Sequence, residues 1–353
     1  MGKKKVSILI PCYNEEENVV PMSNAIRDLF EGQLTQYDYE LLFIDNDSSD
    51  NTRPLLRQIC KKNKKVKAIF NAKNFGQFNS PYYGILQTSG DCVISMVCDF
   101  QDPLDLIPQY LEAWEEGYKI VIGIKTASKE SKLMYKLRST YYKFIKKFSD
   151  VEQIEHFTGS GLYDREFIEV LRELKDPTPF LRGIVSELGF KRKEIEYEQP
   201  QRRAGKTHNN FYTLYDAAML STTSYTKIGL RLCTFFGAIV ALLSTLVGLV
   251  YLILKLTNWD GFEAGMAPLI IIVSFLGALQ LFSIGFMGEY IMSINKRVMN
   301  RPLVVEEERI NFDDVSTGKR RSVYSHNHDP HGAERTRARS QSDMFGGGSN
   351  GQS

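Results

Sequence analysis

A chain of 353 residues can hold one α/β domain of about 200–250 residues with further segments beyond it. Its 44 basic and 42 acidic residues leave a formal charge of +2, so net charge implies no nucleic-acid-binding field. The five cysteines (Cys12, Cys60, Cys92, Cys98, Cys233) are an odd number with no CxxC pair, which fits a reducing, cytosolic part rather than a disulfide scaffold.

The opening MGKKKVSILIPCYNEEEN is basic, but its apolar run is short and meets acids at once, so it does not read as a signal peptide. Val6–Pro11 is predicted to be a buried strand, and Asn14 with Glu17 three residues on has the form of a capping box. A helix to about Phe30 follows, with Val19, Met22, Ile26, Leu29 and Phe30 on its apolar side. Tyr39–Ile44 is the second strand, and the polar cluster Asp45–Asp50 caps a helix around Pro54–Lys61. Val66–Asn71 reads as a third strand, and Ser80–Thr88 as a helix before the turn Ser89-Gly90-Asp91.

Cys92–Asp105, CVISMVCDFQDPLD, is an apolar run that ends in Asp99, Gln101 and Asp102. Such a run suits a strand buried on both faces, with Cys92 and Cys98 as small hydrophobes. Ligands bind at the carboxyl ends of parallel strands, and hard carboxylate and amide oxygens suit Mg²⁺ or Mn²⁺. The same residues also read as a helix start, with Asp102 as N-cap and Pro103 at the first helical position. A helix from about Leu104 to Trp114 and a strand Lys119–Gly123 come next. Alternating strands and helices imply a mostly parallel sheet with helices on both faces. Lys132–Phe148 is a basic amphipathic segment, read either as a helix on an anionic membrane or as a solvated helix packed on the sheet. Glu155–Tyr163 leads to a helix start at Asp164, and Phe180–Gly189 and Lys191–Glu198 end this part before the polar, basic loop Gln201–Asn210.

Leu232–Leu254 and Ala267–Met287 carry no charge, and each is long enough to span a bilayer core of ~30 Å as a helix. The intervening Thr257–Met266 holds Asp260 and Glu263 but no Lys or Arg, while Lys227 and Arg231 precede the first run and Lys296, Arg297 and Arg301 follow the second. The positive-inside rule then places both ends in the cytoplasm; two buried core helices are the alternative. After Phe312 apolar content falls away and the tail reads as disordered, which makes its His326, His328 and His331 a poor metal site. The expected organisation is a cytosolic domain over 1–210, a juxtamembrane amphipathic helix over 211–231, two membrane helices within 232–292, a cytosolic extension over 293–312 and a tail over 313–353.

The pieces SILIPCYNEEENV, FIDNDSSDNT, NAKNFGQ, SGDCVISMVCDFQDP, VIGIK, FTGSGLYDREFIEVL and RRAGKT, then GEYI and NRPL, stand in the order found in one family. Residues 6–231 resemble the inverting family 2 glycosyltransferases of GT-A (Rossmann-like) α/β fold. With two C-terminal transmembrane helices the chain is similar to their polyprenyl-phosphate group, relatives of dolichol-phosphate mannose synthase. The resemblance implies that Pro11, Tyr13, Glu15, Asp45 and Asn46 bind the nucleotide, together with Asp99. It implies that Asp99 and Gln101 bind Mg²⁺ or Mn²⁺, and that Asp99, Lys125 and Arg202 carry catalysis. Lys125, Arg202, Lys206 and His208 would face the acceptor phosphate. Three positions depart from the family pattern: Asn46 and Val97 replace acids, and Gly159 stands where an acid is often found.

The implied reaction moves a sugar from a nucleotide sugar, UDP-glucose or UDP-N-acetylglucosamine with GDP-mannose as the alternative, to polyprenyl (undecaprenyl) phosphate. It takes place at the cytoplasmic face of the inner membrane, in a multi-pass protein serving cell-envelope glycans. Partners are then the donor, the lipid, the membrane and, in a homo-oligomer, further copies of the chain, but no nucleic acid. A non-catalytic nucleotide-binding scaffold and a processive polysaccharide synthase are the other readings. Against the last, two spans are few for a polymer channel, and the Gln-x-x-Arg-Trp motif is absent, the only tryptophans being Trp114 and Trp259.

Overall fold

The structure, a computed structural model, describes residues 2–127, 154–204, 211–225, 228–257 and 266–312. The basic segment Lys132–Phe148, Lys206, His208 and the tail from residue 313 lie outside the described residues.

Among the described residues there are eight strands: β1 (Lys5–Cys12), β2 (Asp38–Asp45), β3 (Val66–Asn71), β4 (Cys92–Ser95), β5 (Ile120–Ala127), β6 (Phe157–Asp164), β7 (Arg192–Glu198) and β8 (Glu306–Ile310). They form one sheet in the order β7-β5-β6-β4-β1-β2-β3-β8. The sheet is mixed: β1 pairs in parallel with β2 and β4, β2 with β3 and β5 with β7. β6 runs antiparallel between β4 and β5, and β8 is an antiparallel edge strand on β3.

Between the strands lie α1 (Val19–Gly32), α2 (Thr52–Lys62), α3 (Gly76–Gln87), α4 (Leu106–Glu115), α5 (Arg165–Leu174) and α6 (Leu181–Glu187). Successive strand residues face opposite sides, so each strand feeds two cores. Ile8, Ile10, Phe43 and Ile94 pack with Met22 and Ile26 of α1, Leu56 of α2 and Ile107 of α4. Leu9, Leu42, Ile44 and Val93 pack with Ile85 of α3, Phe167 and Leu171 of α5 and Ile184 of α6. Burial on both faces is why Ile8–Pro11 of β1, Leu41–Ile44 of β2 and Cys92–Ile94 of β4 are apolar runs.

Two helix starts differ from expectation. Asn14 is no capping residue: it sits at φ 56°, and its Oδ1 accepts from the Ser49 amide at 2.8 Å, tying the β1 loop to the β2 loop. α1 begins only at Val19, after a turn in which the Glu15 carbonyl accepts from the Asn18 and Val19 amides. Asp102 does not start α4, which begins at Leu106. At Asp164 the expectation holds, since its Oδ1 accepts from the Glu166 amide at the start of α5.

Beyond β7 come α7 (Phe211–Tyr225), α8 (Ile228–Thr257) and α9 (Met266–Met299). Tyr225 of α7 lies against Gly183 of α6, where any Cβ would collide with its ring. Phe235, Phe236, Leu242 and Leu246 on α8, and Phe275, Leu281, Phe282 and Ile284 on α9, are exposed, so these are not buried core helices. Among the described residues one stretch, Phe275–Met299, is long and apolar enough to cross a membrane, with a mean hydropathy of 1.3. It lies further along α9 than Ala267–Met287, and within α8 the apolar stretch Cys233–Val247 is shorter than Leu232–Leu254. At the far end of α9, Arg297 pairs with Asp176 at 3.1 Å and donates to Ser224 Oγ of α7 at 3.2 Å. The chain then returns to the sheet: the Ala72 amide donates to the Val305 carbonyl at 2.9 Å, and β8 lines up along β3.

Candidate active site

The site residues gather where β1, β2 and β4 end. In the β1–β2 register Cys12 lies opposite Asp45 and Pro11 opposite Ile44. β4 is short because the Met96 amide still bonds to the Leu9 carbonyl but the Val97 amide turns to Asp102 Oδ2, at 3.0 Å. Asp102, 1% exposed, also accepts from the Tyr197 hydroxyl at 2.8 Å, so it closes the loop from below instead of opening a helix. Burial pushes its carboxyl up, against the lowering effect of Tyr197 and the Val97 amide.

That loop presents Asp99, which is 3% exposed. Its Oδ2 accepts from Arg202 Nε at 2.7 Å, and its Oδ1 from the Gln101 amide at 3.1 Å. Between them Phe100 adopts φ 62°, an unusual conformation for a bulky residue, beneath the Arg203 guanidinium at 5.3 Å from the ring centroid. The Arg203 amide bonds the Asp99 carbonyl at 3.2 Å, so the 202–203 segment is fastened to the loop twice. Glu15 lies within the field of both charges: burial raises its carboxyl, the Asn18 amide at 2.6 Å lowers it, Asp99 raises it and Arg202 lowers it.

Asp45 is fully buried. Its Oδ2 accepts from Arg53 Nε at 2.6 Å and from the Ser48 amide at 3.2 Å, while Oδ1 has no partner among the described residues. Asn46 has a reason to be an amide. Its Nδ2 donates to Asn74 Oδ1 at 2.9 Å and to the Gly76 carbonyl at 3.3 Å, while its Oδ1 accepts from Asn71 Nδ2 and the Phe75 amide. A carboxylate there could accept but not donate, and would face two oxygens. Lys125, near the end of β5, donates to Gln199 Oε1 at 2.8 Å on the β7 side. Gly159 stands at φ 98°, a left-handed position that a side chain strains, so an acid is disfavoured there by the backbone itself. Tyr13 is half-buried just past β1.

The structure thus joins Asp99 to Arg202, places Glu15 in their field and leaves Lys125 held by a neighbour. Sequence reasoning missed Arg53 entirely and gave Asp102 a different task. For a divalent ion the first-motif acid is replaced by Val97, 40% exposed, and the described residues hold no group of three or more His, Cys, Asp or Glu able to surround a metal. What remains is one carboxylate and the Gln101 amide, hard oxygens at the loop's mouth. That set suits an ion whose other ligands are diphosphate oxygens and water, provided Arg202 yields its hold on Asp99.

The signature described as Glycosyl transferase family 2 matches residues 7–172. The SfII prophage-derived bactoprenol glucosyl transferase of Shigella flexneri is 31% identical over 299 residues, 84% of this chain and 96% of that protein. The glycosyltransferase YkoT of Bacillus subtilis is 33% identical over 304 residues, 84% of this chain and 89% of its own length. Among solved structures, mannosyl-3-phosphoglycerate synthase from Rubrobacter xylanophilus aligns over 62% of this chain and 71% of its own, at 17% identity and a TM-score of 0.42. At the identity and coverage of its relatives, the chain belongs to glycosyl transferase family 2, in the group that holds the bactoprenol glucosyl transferases.

Proposed function

We propose that this chain transfers a sugar, glucose before N-acetylglucosamine, from its UDP donor to polyprenyl phosphate at the cytoplasmic face of the inner membrane. The observation that carries the reading is the Asp99–Arg202 pair at the mouth of the sheet. It puts an oxygen ligand for the donor side and a cation for the acceptor phosphate within one contact. The names of the relatives supply glucose and the lipid.

In this reading the acceptor phosphate oxygen bonds to the anomeric carbon as that carbon's bond to the diphosphate breaks, which inverts the centre. A phosphate monoester is already anionic near neutral pH, so no protein base is needed and Gly159 removes nothing essential. When bound by Asp99 and Gln101, Mg²⁺ or Mn²⁺ would neutralise charge on the leaving diphosphate. Arg202, with Lys125, Lys206 and His208, attracts and orients the acceptor phosphate. Asp45, Asn46, Pro11, Tyr13 and Glu15 form the nucleotide side.

Membrane anchoring by two helices has a topological support. Tyr225 of α7 lies against Phe180 and Gly183 at α6, and β8 is the edge strand of the sheet, so with both ends held by the same domain a chain that leaves along α8 and returns along α9 crosses a membrane twice or not at all. Arg231, Lys296, Arg297 and Arg301 then lie on the catalytic side.

Val97 and Gly159 favour a second reading, a scaffold that binds nucleotide without turnover. One assay decides. Membranes holding the protein are incubated with undecaprenyl phosphate and labelled UDP-glucose, UDP-N-acetylglucosamine or GDP-mannose, and lipids are extracted. Label from a UDP sugar in the lipid phase is the expected result. Absence of label with every donor, alongside retained nucleotide binding, would establish the scaffold.

A further inference from the structure

β8 reaches the nucleotide side of the site through one arginine. Arg53, near the start of α2 and 17% exposed in its side chain, hydrogen-bonds three partners through its guanidinium and lies 3.9 Å from Asp47 Oδ1. Nε donates to Asp45 Oδ2 at 2.6 Å, one terminal nitrogen to the Asn71 carbonyl at 2.5 Å, and the other to Glu307 Oε2 at 3.0 Å. Those partners come from the ends of β2 and β3 and from the strand that follows the apolar helices. We propose that Arg53 is a positioning residue for Asp45, and that Glu307 of β8 sets Arg53; this rests on the reading of Asp45 as a nucleotide contact.

The geometry gives the arrangement a consequence. The guanidinium is planar, so fixing both terminal nitrogens fixes the direction of Nε. Nε and the Ser48 amide together engage one carboxylate oxygen of Asp45 and leave the other, buried and without a partner among the described residues, in a single orientation. A buried unpaired oxygen is costly unless a ligand donor meets it, and a nucleoside offers ring N–H and ribose O–H groups. Loosening Arg53 lets Asp45 rotate, and donor binding weakens although no residue touching the nucleotide has changed.

A purely structural role, pinning β8 to the sheet, is separable because the same two elements carry a second ion pair. Arg57 of α2 pairs with Glu308 of β8 at 2.7 Å, at an exposed position with no contact to Asp45. Both arginines lie over the Phe70 ring, at 5.7 Å for Arg53 and 4.6 Å for Arg57, so each variant loses a contact with that ring.

The test uses full-length protein in detergent or nanodiscs. Calorimetric affinities for UDP and GDP are compared for wild type, Arg53→Gln, Glu307→Gln and Arg57→Gln, with melting temperatures and steady-state kinetics. Loss of a charged hydrogen bond predicts that Arg53→Gln weakens nucleotide binding and raises donor KM ~10-fold or more, with kcat and acceptor KM within ~2-fold. Glu307→Gln should show the same split at ~3-fold, and Arg57→Gln none. Unchanged nucleotide affinity in Arg53→Gln, or an equal loss in Arg57→Gln, overturns the inference. If Arg53→Gln does not fold, Glu307→Gln against Arg57→Gln decides alone. Wild type that binds neither nucleotide overturns the reading of Asp45 itself, a result distinct from binding that Arg53 does not affect.

Discussion

Asp99 gives its Oδ2 to Arg202 at 2.7 Å, so in the proposed reaction a donor-bound cation would compete with Arg202 for the negative charge of that carboxylate. In that reading, arrival of donor and cation at Asp99 would free Arg202 for the acceptor phosphate. Arg202→Ala should therefore tighten Mn²⁺ binding in the absence of acceptor, by ~10-fold for one charge-assisted contact, while transfer falls. Electron paramagnetic resonance of free Mn²⁺ measures the first effect, and weaker Mn²⁺ binding in the variant would show that Arg202 helps the metal instead. Asp99→Asn should lose both Mn²⁺ binding and transfer. The acid limb of turnover offers another check. With no protein base, the rate should fall as the acceptor loses its dianion near pH ~6 and should follow the phosphate acidity of acceptor analogues. Glu15 is the competitor, since burial raises its carboxyl. A limb that ignores the analogue and vanishes in Glu15→Gln would assign it there. At this scale Asp99 was legible because an apolar run stops at it. The hydrogen bonds that require an amide at Asn46 were not, since their partners lie on β3 and the loop after it.

The same split between local and distant holds for the elements. β1 to β4 and the cap at Asp164 could be read from apolar runs and one side chain. The direction of β6 could not, because FTGSGLYD has no feature that distinguishes a parallel from an antiparallel neighbour. β8 was missed for a different reason: EEERI is a half-exposed edge strand whose charge conceals its pairing. Beneath the sheet, at the opposite end from the site, Glu40 of β2 joins three elements. It is buried, accepts from Ser7 Oγ of β1 at 2.5 Å and from the Ser89 amide at 2.7 Å, and pairs with Lys67 of β3 at 2.8 Å. Burial alone would raise its carboxyl, but Lys67, Ser7 and Ser89 outweigh it and hold the group well below the usual carboxylate range. A depressed folded value means stability present above the unfolded value of about 4.3 and lost as pH falls toward the folded one. Glu40→Gln should cost ~2–4 kcal/mol at pH 7, with the difference from wild type shrinking below pH ~4 in denaturant titrations. A deficit that is constant with pH would assign it to shape rather than charge.

For the molecule as a whole, the proposed double crossing by α8 and α9 would fix sidedness. A cysteine at Thr257, in a Cys233→Ser background, should react with a membrane-impermeant thiol reagent applied outside intact cells. One at Arg301 should react only after permeabilisation. Labelling of both without permeabilisation, or of neither, would reject two crossings. The sequence expectation of two crossings rests on charge placement around the apolar runs, and among the described residues one stretch, Phe275–Met299, is long and apolar enough to cross. That the chain comes back to finish the sheet was invisible in the sequence, because β3 and β8 are brought together only by the fold.

That return has a consequence for how the protein is made. Synthesis delivers β3 first and β8 only after both apolar helices have left the ribosome, and chains fold as they emerge. Until then β3 is a bare edge, a template for pairing with other chains. In the proposed topology, insertion into the bilayer would come between the making of β3 and the completion of the sheet. A nascent chain that stops short of β8 therefore carries an unfinished, adhesive sheet and an Arg53 without Glu307, so the last strand to be made is also the one that closes the nucleotide side.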